Sequence, residues 1–212
     1  DTVSRIFAFH GALASEGFDL GPLIGDATLG TMACDLKVNA RGRNFAGMQA
    51  DLEGMVPLLT LNGQAVSGIT VNGRLQRDLF NGHLECDDPY LQLTFDGLAD
   101  LRGRWPKVDF TAAVRHADLF GLRVLPKQHL GEVSFSIDAR GELAPDSLKG
   151  TLSVKDLTYC DDKGLLELGD AEVSSGRSEG QPVLTLRSSM ADAHVRGIFL
   201  PTLLPEAFRN VV

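Results

Sequence analysis

Three carboxylates fall within four residues at Glu85, Asp87 and Asp88. Such a cluster has the chemistry to hold Ca²⁺ or to share a catalytic proton. Pro89 follows at once, however, and Asp-Asp-Pro starts a tight turn through side-chain to backbone hydrogen bonds. The turn is the stronger reading. Asp161-Asp162-Lys163-Gly164 reads in the same way as a hairpin tip. The five histidines, His10, His83, His116, His129 and His194, are scattered one per segment. None has the HxH, HxxxH or HExxH spacing of a metal site. The three cysteines, Cys34, Cys86 and Cys160, form neither a close pair nor a ligand spacing. Cys34 shares parity with Met32 and Leu36, and Cys86 with Leu84, so the three read as buried free thiols packing as small hydrophobes, with a disulfide as the unsupported alternative.

Other chemistries fare no better. A nucleophile elbow needs GxSxG, and Val66-Ser67-Gly68 lacks the flanking glycine. There is no GxGxxG and no P-loop. Basic residues are spread singly, without the aromatic interleaving of a nucleic-acid surface. The net charge of −8 would itself repel phosphates. No run of 18 apolar residues occurs, so no helical membrane span is expected. The reading is of a protein that is not an enzyme, with no catalytic residue, no metal ligand, no cofactor and no nucleic-acid partner. The chain opens at Asp1 without a Met or a signal peptide and moves directly into strand pattern, which reads as a segment of something larger.

The pattern itself is legible. In Phe80–Leu101, the residues Phe80, Leu84 and Cys86 share one parity, and Leu91, Leu93, Phe95, Gly97, Ala99 and Leu101 share it after the turn at Asp87-Asp88-Pro89. Polar residues fill most positions between. Alternation of this length marks a strand with one apolar and one wet face. Further strands are expected over Ser4–Ser15, Thr31–Ala40, Met48–Leu52, Leu58–Asn62, Gln64–Val66, Gly68–Gln76, Val108–Val114, Val133–Ala139, Leu165–Ser174, Pro182–Ser188 and Ala191–Phe199. Gly17, Gly42, Gly54, Asn62-Gly63 and Gly141 read as breaks or turns. Asn72-Gly73 fits either a turn or a mid-strand glycine. A change of parity at Lys155-Asp156 predicts a β-bulge. The tail from Pro201 has no alternation and fits a short helix starting near Pro205.

An internal repeat is also visible. RIFAFHGALASEGFDL (5–20) parallels KVDFTAAVRHADLFGL (107–122), with Phe9 against Phe110. Leu29-Gly30 parallels Leu130-Gly131, and DPYLQLTFDGLADL (88–101) loosely answers SMADAHVRGIFLPTL (189–203). Two repeats of roughly one hundred residues follow, 1–105 and 106–212, the second continuing the sheet of the first.

What remains as a candidate site is the apolar face. Large residues recur on one side of strand after strand: Phe7, Phe9, Leu36, Val38, Ile69, Val71, Leu91, Leu93, Phe95, Val108, Phe110, Val114, Val133, Phe135 and Ile137. Alternation alone allows two arrangements, the closed core of a β-sandwich or barrel and an open curved sheet whose concave face holds acyl chains.

The order of segments resembles the TamB family of the AsmA-like superfamily, the large versions of the Bacteroides group in particular. The residues that carry the resemblance are Gly-Phe-Asp-Leu-Gly-x-Leu-Ile-Gly-Asp followed by Leu-Gly (17–30), the strand ending at Gly42, and NGxxVSGITVNGRLQRDLFNGHLECDDPYLQLTFDGLADL (62–101). The resemblance implies an all-β, long, curved antiparallel sheet, the U-shaped "β-taco", with an apolar concave face. It also implies a periplasmic segment of an inner-membrane-anchored protein, carrying phospholipid or another acyl-chain lipid towards the outer membrane. The implied partners are the lipid, neighbouring β repeats of the same parent, and an outer-membrane barrel of the Omp85 type. The alternative is a scaffold for outer-membrane protein or surface-polymer assembly through sheet edges. A slice with two bare edges is further expected to self-associate edge to edge.

Overall fold

Alternating sequences of this kind have one way to bury an apolar stripe, which is to pair side by side and turn that face inward. In the computed structural model, which describes residues 7–24, 27–43, 48–76, 79–100, 102, 105–125, 131–142, 149–178, 181–190 and 192–196, nearly every element is a strand. The order is β1 (Phe7–Asp19), a single helical turn α1 (Gly21–Ile24), β2 (Leu29–Gly42), β3 (Gln49–Leu61), β4 (Gln64–Val66), β5 (Ile69–Gln76), β6 (Leu79–Asp88) and β7 (Leu91–Asp100). There follow β8 (Lys107–Asp118), β9 (Glu132–Glu142), β10 (Lys149–Asp161), β11 (Gly164–Ser178), β12 (Gln181–Ser188) and β13 (Asp192–Arg196). They form one antiparallel sheet of 13 strands in sequence order, with β4 set off the main path against β3. The ends, β1 and β13, do not pair with each other, so the sheet is open.

Register sorts the side chains into two faces. One row crosses the sheet through Leu13, Leu36, Gly54, Val71, Leu84, Phe95, Ala112, Ile137, Val154 and Ala171. The adjacent row on the other face runs through Ala12, Lys37, Glu53, Asn72, His83, Asp96, Thr111, Asp138, Ser153 and Glu172. A slip of one residue anywhere would exchange the two, which is why the alternation fixes register so firmly.

Several boundaries differ from those the sequence suggests. β1 runs through Gly17 to Asp19, the irregularity being absorbed by a register shift between Ser15 and Phe18. Gly54 does not separate two strands; it lies inside β3, with φ 152. β2 does end at Gly42 and β9 one residue beyond Gly141, as expected, while Asn72-Gly73 is mid-strand in β5. At Gly17, Gly54 and Gly73 the chain continues as strand, with an unusual φ at Gly54 alone of the three. The turn after Asp88 falls as expected, and so does the bulge, where the register shifts between Val154 and Leu157 and Asp156 has φ 52. The expected strand start at Ser4, the end of the last strand at Phe199, His129 and the helix near Pro205 lie outside the described residues.

No second layer covers the apolar face among the described residues, yet Ala40, Cys86 and Ala139 on it are 3%, 1% and 5% exposed. The sheet therefore curls with that face inside. The hydrogen bond from Asn62 Nδ2 to the Leu122 carbonyl (3.3 Å) shows the same bend. β3 and β8 are four strand spacings apart, roughly 19 Å on a flat sheet. The curl needs close backbone approach at its centre. A Cβ on Gly82 would stand 2.4 Å from the Asn72 carbonyl oxygen, and one on Gly97, at φ 137, 2.3 Å from that of Asp109. Gly164 has a comparable φ of 132 with nothing within 4 Å.

These three sites separate conformation from contact. Gly164→Ala isolates the backbone cost, Gly82→Ala the steric one, and Gly97→Ala combines them. Denaturant titration should show Gly97→Ala as the most destabilising, by on the order of 1–3 kcal/mol or more. Equal losses at all three positions would mean that the curl does not depend on this close approach.

Candidate functional site

Register places every residue of the candidate groove on the inner face. They fall there because each strand repeats the same parity, and because bulges in β1 and β8 restore it after an extra residue. Leu36 and Ile69 are buried. Val38, Val71, Leu91, Leu93, Phe95, Val108, Phe110, Val114, Val133, Phe135 and Ile137 are half-buried, and Phe7 and Phe9 are exposed. The face is thus shielded at its centre and bare at the β1 end. At mid-sheet, Phe95 stands between two other rings, with centroids 6.0 Å from Phe80 and 5.1 Å from Phe110. The Phe80 ring also lies over Gly73, where a Cβ would meet it at 2.9 Å. Rings folded over strand glycines cover backbone that has no side chain of its own.

Sequence reasoning left out part of this face. Leu52, Phe80, Leu84, Leu152, Val154 and Val173 occupy the same rows. Their parity was available as a signal, but only pairing register shows that they align with the others. The floor at one end was not visible at all. There β4 folds back on β3 with Val66 fully buried, and Leu122, in the turn after β8, packs into the same cluster with Cys34, Ile69, Cys86 and Ala117. Asp118 shapes that turn by accepting from the Phe120 and Gly121 amides at 3.0 and 2.8 Å.

Asp88 ties this end together. It is only 5% exposed. One carboxylate oxygen accepts from both the Ser67 amide and hydroxyl at 2.8 Å, and the other from the Tyr90 amide at 2.9 Å. Burial opposes its ionisation, but the donors from Tyr90 and Ser67 outweigh burial and hold its pKa below the ordinary 3.8. The carboxylate at the head of the turn is therefore a staple between two hairpins. Beside it, the Cys86 thiol is pushed up to about 11, first by burial and then by the Asp88 and Asp87 charges. Among the described residues, no group of three or more His, Cys, Asp or Glu side chains is placed to hold a metal ion, and no helix is long and apolar enough to cross a membrane.

The outer face is polar and self-paired. Arg74 meets Asp51 at 2.7 Å, Arg140 meets Asp109 at 2.9 Å, and His83 meets Asp96 at 2.8 Å, all exposed. Exposed pairs of this kind contribute about 0–1 kcal/mol each. A depression of about 600 Å³ on this face is lined by His10, Lys37, Asp51, Glu53, Arg74 and Asn81. Its charges are largely spent on one another, through Arg74–Asp51 and Lys37–Glu53. No protein-family model, no characterised protein and no solved structure matches the chain.

Two predictions follow from the staple. Because the folded pKa of Asp88 is lowered, its stabilisation is complete above the ordinary carboxylate pKa and is lost as pH falls through the folded value. Asp88→Asn should cost about 1–3 kcal/mol at pH 7, and the gap to the wild type should close on acidification in parallel urea titrations. A gap independent of pH would remove the charge from the argument. The thiols give the second test. At pH 8 a maleimide should label Cys160 in the folded protein and leave Cys34 and Cys86 untouched, with all three reacting in denaturant. Native labelling of Cys86 would contradict its burial.

Proposed function

We propose that this chain is a non-enzymatic segment of a lipid-carrying groove, the apolar inner face serving as a track for phospholipid acyl chains. The observation that carries the reading is a single open sheet whose inner face stays apolar from β1 to β12, with no second layer among the described residues to fill it. Apart from the off-path β4, twelve strands lie in sequence along the sheet. At about 4.8 Å per strand they make a track on the order of 55 Å long. Each acyl methylene leaving water contributes about 0.8 kcal/mol, so a chain can be held without a headgroup site. An acidic, ion-paired outer face suits a groove that stands in an aqueous compartment. With the resemblance to TamB-like proteins, this favours a periplasmic segment of an inner-membrane-anchored parent, spanned by repeats over 1–105 and 106–212. Neighbouring repeats and an outer-membrane barrel would then be its partners.

The bare edge at β1, with Phe7 and Phe9 68% and 53% exposed, favours a second reading, a scaffold that captures strands of other envelope proteins. Photocrosslinking distinguishes the two. A photoreactive phenylalanine analogue replaces Phe95, on the inner face, or Asp96, on the outer, in the parent protein in living cells. Phospholipid adducts at 95 and none at 96 are the expected result. Adducts at neither position in a folded parent would discard the track and leave the scaffold.

A further inference from the structure

Register allows each strand in one half of the sheet to be set beside a strand of the other. In the middle inner row, Gly11, Val38, Leu52, Gly73, Gly82 and Gly97 lie on β1, β2, β3, β5, β6 and β7. The row continues through Phe110, Ala139, Leu152, Val173, Leu186 and Ala193 on β8 to β13. Irregularities correspond too. A register shift separates Ser15 from Phe18, and another separates Val114 from Ala117. The Leu20 amide donates to the Gly30 carbonyl as the Leu119 amide does to that of Gly131. These matches set Gly11 against Phe110, whereas sequence similarity sets Phe9 there, two residues away.

The halves meet where β7 pairs with β8, with Gly97 opposite Phe110 and Leu98 opposite Asp109. Carried over to the ends of the sheet, that junction puts Ala193 of β13 opposite Gly11 of a β1 strand, and His194 opposite His10. Among the described residues no strand pairs with the outer edge of either. β1 carries neither Lys nor Pro, and from Phe7 to Ser15, before its bulge, no acidic or basic residue other than His10 guards its edge. Phe7, Phe9 and Leu13 are 68%, 53% and 48% exposed on it, whereas Val108, Phe110 and Val114 of β8, beside β7, are half-buried.

We propose that a second copy of this chain docks its β13 on β1 in the β7–β8 register, so that copies add head to tail into one continuous antiparallel sheet. An even number of strands along the path makes the new pair antiparallel, like every other. The contact is heterologous, and nothing in it closes a ring. The inference rests on register and edges alone, independently of what the inner face carries.

Two chains test it, one with His10→Cys and one with His194→Cys, each also carrying Cys160→Ser to remove the native thiol that is only half-buried. Mild oxidation of the mixture should give a disulfide-linked heterodimer, with no dimer from either chain alone. A dimer from His10→Cys alone would mean β1 pairing with β1, and no bond in the mixture would mean no such junction; either result overturns the proposal. Sedimentation supplies a second reading. The wild-type mass should rise with concentration, and Phe9→Lys, at a side chain already exposed, should stay monomeric with an unchanged circular dichroism spectrum. Undiminished association of Phe9→Lys would also overturn it.

Discussion

A sheet with one apolar face, and among the described residues no second layer, has to shelter that face with itself. Everything distinctive in this chain follows from that constraint. The strands cannot lie flat, because a flat sheet would leave Leu36, Ile69 and Cys86 in water, and they are 6%, 7% and 1% exposed. Curling crowds the inner face, and glycines take the crowded positions. They run obliquely across the sheet, from Gly54 on β3 through Gly73, Gly82 and Gly97 on β5 to β7, to Gly141 and Gly150 on β9 and β10. A side chain at Gly54, Gly82, Gly97 or Gly150 would strike the backbone of the neighbouring strand, and one at Gly73 the Phe80 ring. The line acts as a crease, and Phe80, Phe95 and Phe110 lie beside it as the bulk that the glycines lack.

The outer face answers a different need. Its rows alternate acidic, basic and neutral side chains across strands, so that Lys37 faces Glu53, Asp51 faces Arg74 and Asp109 faces Arg140. Individually these exposed pairs are weak. Collectively they penalise slippage, since a shift of one residue would turn a row of charges inward and a row of leucines and valines outward. Specificity of register thus comes from the contrast between faces more than from any one contact.

Much of this was legible in the sequence because strand alternation is a local property. The parity of Leu91, Leu93 and Phe95, the Asp88-Pro89 turn and the bulge at Asp156 are all decided within a few residues. Gly54 reads as a break because a glycine between apolar runs gives the same local signal whether the chain turns or merely creases. Whether it turns depends on a neighbouring strand dozens of residues away. The Asp88–Ser67 staple and the place of Leu122 in one cluster with Cys34 and Ile69 are non-local in the same sense. So is the two-residue discrepancy between sequence similarity and register at Phe9. Similarity aligns like side chains, while register aligns hydrogen-bonded positions, and the large aromatic on β1 has moved one row from its counterpart on β8.

The two halves share rows but end them differently, and one buried carboxylate accounts for the difference. At Ser67-Gly68 the first half breaks into β4 and β5; Gly68 has φ 65, and Asp88 holds the Ser67 amide and hydroxyl. The second half has a glycine in the same conformation, Gly169 at φ 70, but β11 runs through it as a bulged strand of 15 residues. There the facing side chain is Ser189, whose hydroxyl donates to the Leu168 carbonyl at 2.6 Å. A neutral hydroxyl bound to one carbonyl lets the strand continue. A carboxylate that gathers three donors demands that the chain turn towards it. The turned chain supplies Val66 and the floor over Ile69 and Cys86, whereas the continuous one leaves Leu166, on the inner face opposite Tyr159, 51% exposed. Closure of the inner face at one end of the first half therefore originates in Asp88, a polar residue placed where the apolar pattern stops.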